Sequence, residues 1–314
     1  MQNQLISSSS VHQRRSKTDW ENRFATWAAS PSATEQQRAE NAESMIRSAI
    51  QNSPQLSQRT IRVFTQGSYR NRVNVRKDSD VDIGVLCFDT FFPEYPDENV
   101  KLARKSSDVS AVYTYAQFKN ELEEALVAKF GRSAVSRGSK SFDVSETSYR
   151  VEADVAAFFE HRRYTTVNDY LSGVEMIPDD FRPHMIRNWP EQHYSNGVAK
   201  NSATSRRFKR VVRVLKSLSN EMSANGISSA GDTPSFLVEC LVWNAPDAYF
   251  MQDSYWSMIR SVLAWLFNNT RTDVSCKDWG EVSNLKYLFN ASQPWTRIET
   301  HRFISDAWDY VGFN

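Results

Sequence analysis

The order of elements in this chain of 314 residues predicts an α+β fold, with a strand-bearing core followed by a helical lobe. Three observations carry that prediction. Short apolar runs at 61–64 and 81–88 flank a Gly67-Ser68 turn, and further strand-like runs follow up to residue 159. Beyond about residue 205, the apolar residues recur with the helical period. Finally, an acidic pair, Asp80-Val81-Asp82, stands at the mouth of the second apolar run.

Composition sets outer limits. Hydrophobic residues make up 40% of the chain and aromatics 12%, which excludes a largely disordered protein. The net charge of +1 gives no bulk attraction for a long polyanion, so any affinity for phosphates must come from local clusters. Cys87, Cys240 and Cys276 are odd in number and lack metal-ligand spacing, and the first two lie in apolar segments, as core thiols do. The chain starts with polar residues, and no window reaches about eighteen consecutive apolar residues, the length of a membrane span. A reducing cytoplasm is the expected setting.

The elements follow in order. Residues 1–18 read as a polar arm, and 19–29 as a short helix bearing Trp20, Phe24 and Trp27. Ser32 and Glu35 have capping-box spacing, and the helix they open carries Ala39, Ala42, Ile46 and Ile50 on one face. Strands are expected at 61–64 and 81–88, the second apolar enough to be covered on both faces. Residues 89–111 read as a loop, 115–130 as a helix with Gly131 as its cap, and 142–144 with 149–159 as a hairpin-like strand pair. The stretch 168–201 is expected to cross between lobes. Then come a helix over 205–222, with Phe208, Val211, Val212, Leu215, Leu218 and Met222 on one face, a helix with Pro234 in its first position, and helices at 254–267 and 301–310. The expected organisation is thus an arm (1–18), a core (19–165), and a crossover plus helical lobe (166–314).

The chemistry concentrates at the first turn. Asp80 and Asp82 are two apart on a strand, so both side chains leave one face, as a pair of magnesium ions requires. Such ions can activate a hydroxyl and neutralise a leaving pyrophosphate, so the pattern is the signature of nucleotidyl transfer. A solvated acidic strand entry, with Asp78 in register, is the competing reading. The apolar run directly after Asp82 argues against it. Gly67 permits a tight turn and Ser68 starts the next helix, where backbone N–H groups favour an anion, although an ordinary strand-to-helix turn has the same residues. In 149–155, Glu152 and Asp154 leave the same face, and periodicity does not choose between them as a third metal ligand. Lys209, Arg213 and Lys216 form a basic stripe, for which a solvated helix face is the default, and Ser235 falls in a first helical turn, where a phosphate is favoured. The five histidines show no convergent spacing and read as incidental, and most tryptophans read as core.

The segments 64–83, 149–154, 192–201, 206–216 and 234–240, in that order, resemble the bacterial CD-NTases, the nucleotidyltransferases related to cyclic GMP-AMP synthase and DncV. Within that family, the downstream pattern is similar to the pyrimidine-using CdnE-type clade. The resemblance implies a polymerase-β-like nucleotidyltransferase core, a mixed sheet with flanking helices, packed against a C-terminal helical lobe. It implies Asp80, Asp82 and Asp154 as the catalytic metal triad, which disfavours Glu152, with two Mg²⁺ ions that Mn²⁺ can replace. It further implies Gln66, Gly67, Ser68, Asn201, Lys209 and Ser235 as nucleotide-binding positions, Lys209 and Ser235 gripping the donor triphosphate. The expected substrates are nucleoside triphosphates (UTP and ATP, with CTP and GTP open), joined into a cyclic di- or trinucleotide that serves anti-phage signalling. An activating protein partner is left open, and neither DNA nor membrane is required. Arg72-Val73 departs from the Asn-Thr pair frequent in relatives, which affects the expected acceptor contacts.

Two rival readings remain at this level. One is another enzyme of the same fold, making linear oligonucleotides or acting on tRNA or an antibiotic. Its tRNA-directed form is disfavoured by the near-neutral charge. The other is a silent nucleotide- or RNA-binding module, disfavoured by the retention of three carboxylates.

Overall fold

The computed structural model describes residues 15–75, 80–105 and 112–313. Most of the expected polar arm, and the register position of Asp78, lie outside the described residues.

The chain opens with α1 (Lys17–Trp27), started by a Ser16–Asp19 capping box, and α2 (Ala33–Asn52), started by the expected Ser32–Glu35 box. The sheet-bearing part continues through β1 (Ile61–Thr65), the single turn α3 (Gly67–Asn71), β2 (Val81–Glu94), α4 (Glu98–Arg104), α5 (Tyr115–Phe130), β3 (Val135–Arg137), β4 (Phe142–Val144), β5 (Ala153–Tyr164), β6 (Tyr170–Met176) and β7 (Ile186–Asn188). The rest is helical: α6 (Pro190–Ala203), α7 (Phe208–Ala224), α8 (Ser228–Gly231), α9 (Ser235–Asn244), α10 (Tyr255–Asn269), α11 (Asp273–Cys276) and α12 (Arg297–Val311).

The sheet is mixed. Its order is β1-β2-β5-β4-β3, with β6 beside the far half of β5 and β7 beyond β6. Strands β2 and β5 run parallel and the other pairs are antiparallel. Over 81–87 and 153–161 both central strands are buried almost throughout, which explains their near-continuous apolar sequence there.

Four expected element bounds need correction. The loop expected from residue 89 is strand up to Glu94: after a bulge between Cys87 and Phe91, β2 resumes pairing with β5 (Phe91↔Glu160 to Glu94↔Arg163). Pro93 is tolerated because β1 has already ended and only one ladder remains there. The strand expected from 149 begins at Ala153, since Thr147–Arg150 forms a turn closed by Thr147 N–H donating to the Arg150 carbonyl (3.0 Å). The crossover expected over 168–201, with the core ending at 165, contains β6 and β7, so the sheet runs to Asn188. Pro234 is the N-cap of α9 and Ser235 its first residue.

Two apolar cores form. One lies between the sheet (Ile83, Val85, Val155, Phe158) and the helices α2 and α5 (Ile46, Phe118, Leu122). The other fills the helical lobe around Phe208, Val211, Leu215, Ile259 and Phe303, and it takes in Trp20 and Phe24 of α1. Helix α1 was expected with the sheet. It packs instead on α7 and α10, where Trp20 and Phe24 join the helical core and Glu221 of α7 holds Arg15 and Arg23 beside it.

Arg213 ties these parts together. It is 4% exposed, and its guanidinium donates to the Ala28 carbonyl after α1 (3.0 and 2.5 Å) and to the Arg72 carbonyl after α3 (2.7 Å). Burial lowers its pKa to about 10, so it stays charged at neutral pH. Arg213→Met keeps the apolar stem but leaves two buried carbonyls without a donor. We expect it to lower unfolding free energy by about 2–4 kcal/mol in chemical denaturation.

Candidate active site

The first ladder ends where the site begins. Gln66 N–H donates to the Asp82 carbonyl (2.8 Å), and the chain then turns through Gly67 at φ +62°. A Cβ at Gly67 would collide with Asp82 Oδ2 and lie 2.9 Å from its Cγ, so only glycine lets the turn approach this carboxylate. Ser68 follows in α3, whose single turn gives little dipole, so an anion held there would rest on the hydroxyl and the local N–H groups.

Parallel pairing supplies the acids. Asp82 is the register partner of Asp154, and Asp143 of β4 flanks Asp154 from the other side. Asp80, Asp82 and Asp154 line one cavity of about 360 Å³ with Ser68, Asn74, Lys216, Asn220 and Ser235. It adjoins a larger one of about 440 Å³, lined by Gln66, Gly67, Ser68, Asn71, Asp82, Asn188, Trp189, His193, Lys216, Ser235, Phe236 and Glu239. Ser68, Asp82, Lys216 and Ser235 are common to both and join them into one cleft between sheet and helices. The Oδ1 atoms of Asn71 and Asn74 are buried at its wall without a hydrogen-bond partner, acceptor capacity left for a ligand.

The acids strain against one another. Burial, followed by the charge of Asp80, raises the Asp82 pKa to about 6, with Lys216 opposing. Burial also raises Asp154, reinforced by Asp82, Asp143 and Asp80. Among the described residues, no three histidine, cysteine or carboxylate side chains form a ready-made metal cluster. Asp80, Asp82 and Asp154 nevertheless bring hard oxygen donors to one cavity, a donor set that fits magnesium or manganese. Glu152 is exposed and lines neither cavity.

Opposite the acids stands a Lys216–Glu239–His193 group, its lysine and glutamate buried and its histidine half-buried. Lys216 Nζ meets Glu239 Oε2 at 3.1 Å, and His193 Nε2 meets Glu239 Oε1 at 3.0 Å. Burial would raise Glu239, but Lys216 and His193 outweigh it and bring its pKa down to about 2. The basic stripe is therefore no solvated face: Arg213 and Lys216 are both buried, and Lys216, not named from the sequence as a site residue, reaches the cleft. His193 was read as incidental and lines it too. A signal for this group did exist. Glu239 is a lone carboxylate in an apolar helix, and such a residue requires a buried cation. Lys209 and Asn201 line neither cavity: Asn201 Oδ1 accepts from the Lys209 N–H (3.1 Å), and the Lys209 ammonium sits over the Tyr194 ring at 5.7 Å.

Comparison with known proteins finds relatives over nearly the whole chain. Residues 195–312 match the family model of the cGAS/DncV-like nucleotidyltransferase C-terminal helical domain. The chain is 44% identical to a cyclic dipyrimidine nucleotide synthase CdnE of Legionella pneumophila, covering 94% of this chain and 99% of the relative. It is 39% identical to one of Cecembia lonarensis, covering 93% and 98%. The structure of the Rhodothermus marinus CdnE c-UMP-AMP synthase with Apcpp and Upnpp superimposes with a TM-score of 0.79 at 29% identity, covering 94% of this chain and 98% of that one.

The raised acids set a sign for pH dependence. A carboxylate with a raised folded-state pKa contributes stability at low pH and loses it as pH rises from about 4 through about 6 for Asp82. Without added metal, we expect Asp82→Asn to be more stable than the wild type at pH 8 by about 1–3 kcal/mol, and nearly equal to it at about pH 3.5, in thermal melts.

Proposed function

The chain belongs to the cGAS/DncV-like nucleotidyltransferases, the CD-NTases, and from that membership we propose that it condenses nucleoside triphosphates, pyrimidines among them, at the Asp80–Asp82–Asp154 cleft. It is a nucleotidyltransferase that makes cyclic nucleotides. One observation carries the assignment of the site: the carboxylates of the sheet and the Ser68, Lys216 and Ser235 side chains of the opposite walls meet in a single cleft.

The reaction follows from this arrangement. A ribose hydroxyl attacks the α-phosphorus of a triphosphate, the bond to the β-phosphate breaks, and pyrophosphate leaves. A second transfer within the linear product closes the ring. Asp80, Asp82 and Asp154 would hold Mg²⁺ or Mn²⁺, which when bound supplies hydroxyl activation and charge neutralisation. Lys216 and the Ser68 and Ser235 hydroxyls hold the triphosphate, with Glu239 fixing the Lys216 ammonium. Phe236 offers an exposed ring for base stacking. Lys286 engages Asn188 Oδ1 (3.2 Å), which leaves the Asn188 NH₂ as a donor for a pyrimidine carbonyl. The two CdnE relatives, both named dipyrimidine synthases, support UTP or CTP as substrates. The product's role in anti-phage signalling, and a cytoplasmic setting for it, are part of this proposal. Among the described residues no helix is long and apolar enough to cross a membrane.

The test is incubation with each labelled triphosphate, singly and in pairs, with Mg²⁺ or Mn²⁺, followed by phosphatase. A phosphatase-resistant product is expected, reduced by more than about 10²-fold in Asp80→Asn/Asp82→Asn. Products that all keep a phosphatase-labile end, or transfer to a non-nucleotide acceptor, would refute cyclisation by this chain. Added DNA is expected to leave the rate unchanged. Glu239→Gln, which frees Lys216, is expected to raise the KM for triphosphate about tenfold with a smaller change in kcat.

A further inference from the structure

A further polar cluster lies at the far end of the same strand pair. His161 of β5 is completely buried. Its Nδ1 is 2.7 Å from Glu175 Oε2 of β6, and its Nε2 is 2.9 Å from Glu94 Oε2 of β2. Arg163 Nε donates to the same Glu94 oxygen (2.9 Å), Arg187 Nε donates to the same Glu175 oxygen (3.0 Å), and Arg187 Nη1 stands 3.7 Å from Glu94. The other charged neighbours on β5, Glu160 and Arg162, pair with each other on the opposite face.

Counting protons fixes the state of this cluster. Two ring nitrogens each facing a carboxylate oxygen need two protons between them. A neutral imidazole has one, which would leave a nitrogen lone pair against a carboxylate oxygen. Both carboxylate oxygens that face the ring already accept from arginines, so the geometry places a ring N–H opposite each of them.

The cluster carries the wall of the cleft. The His161 ring meets Trp189 edge-on, with centroids 5.4 Å apart at 84°. Gly173, the β6 register partner of His161, leaves no room for a side chain: a Cβ there would lie 2.8 Å from the Asn188 carbonyl oxygen and 2.8 Å from Trp189 Nε1. From the same cluster, Arg163 Nη1 donates to the Leu285 carbonyl of the helical lobe (3.2 Å), and the neighbouring Lys286 holds Asn188.

We propose that His161 is a positioning residue for nucleotide binding: an imidazolium clamped between Glu94 and Glu175 that sets the Asn188–Trp189 wall and its link to the 285–286 segment. The proposal rests on the nucleotide-cleft reading above. It touches no reacting atom, so its effect falls on binding rather than chemistry.

Long-range ¹H–¹⁵N spectra of the wild-type chain at neutral pH read the ring directly, with His161 assigned by its absence in His161→Gln or its displacement in Glu94→Gln. Both nitrogens are expected to be protonated. His161→Gln is expected to raise the KM for triphosphate, and to weaken binding of non-hydrolysable UTP measured calorimetrically, by about tenfold, with kcat within about twofold. Glu94→Gln, at the more exposed end of the cluster, is expected to give a smaller shift of the same kind. A neutral His161 ring would overturn the proposal, as would a His161→Gln chain that melts lower yet binds and turns over as the wild type does. A wild-type chain that binds no nucleoside triphosphate would overturn the cleft reading, and this role with it, while the NMR result would still report the charge of the ring.

Discussion

The structure depends on one parallel pairing, that of β2 with β5. It sets Asp82 beside Asp154, and like charges opposed across a ladder repel. An exposed hairpin would relieve that repulsion by splaying. This pair cannot splay, because both strands are apolar on both faces and locked between α2, α5 and their neighbours. Parallel strands also require a long crossover, and α4, α5, β3 and β4 all lie in it. Asp143, which flanks Asp154 from β4, is delivered by that crossover, so much of the chain between the two aspartates serves to hold acids together against their mutual charge.

The helical lobe answers with cations held as rigidly. A largely buried Lys216–Glu239–His193 group is weak evidence for stability, since desolvation offsets much of its Coulomb attraction. Its value is positional. Glu239 fixes an ammonium at the edge of the acid site, near enough to oppose the rise in the Asp82 pKa. Three residues earlier on the same helix, Arg213 reaches back to the carbonyls that follow α1 and α3. Helix α7 thus places the cation and anchors the turn that follows Ser68.

Local signals were legible in the sequence where one residue type has one physical use. The Ser32–Glu35 box, the Gly67 turn, the Asp80-Val81-Asp82 pair and the apolar period of α7 each follow from a short-range rule, and the structure has them all. Features set by distant partners were harder to read. The continuation of β2 past residue 88 depends on a bulge and on pairing with β5 seventy residues later. The burial of Lys216 depends on Glu239, and the docking of α1 on Glu221. Polarity misled most at His193 and Lys216, because spacing along the chain does not reveal a charge whose partner lies on another helix.

The division between cores and cleft explains how so much charge is tolerated. The two apolar clusters close separately, one on the sheet with α2 and α5, the other within the helices and α1. What joins them near the cleft is polar and directional: Arg213 to the Arg72 carbonyl, Arg70 to Glu191, Arg163 to the Leu285 carbonyl and Lys286 to Asn188. An interface of this kind fixes geometry without closing on itself as an apolar seam would. It leaves wall carboxamides and hydroxyls such as Asn71, Asn74, Ser68 and Ser235 facing a cavity rather than one another. Such walls suit the phosphates proposed to bind here. If the lobes met through apolar area, the same burial that stabilised them would exclude the ligand, and the acids of β2 and β5 would face nothing that their charge could serve.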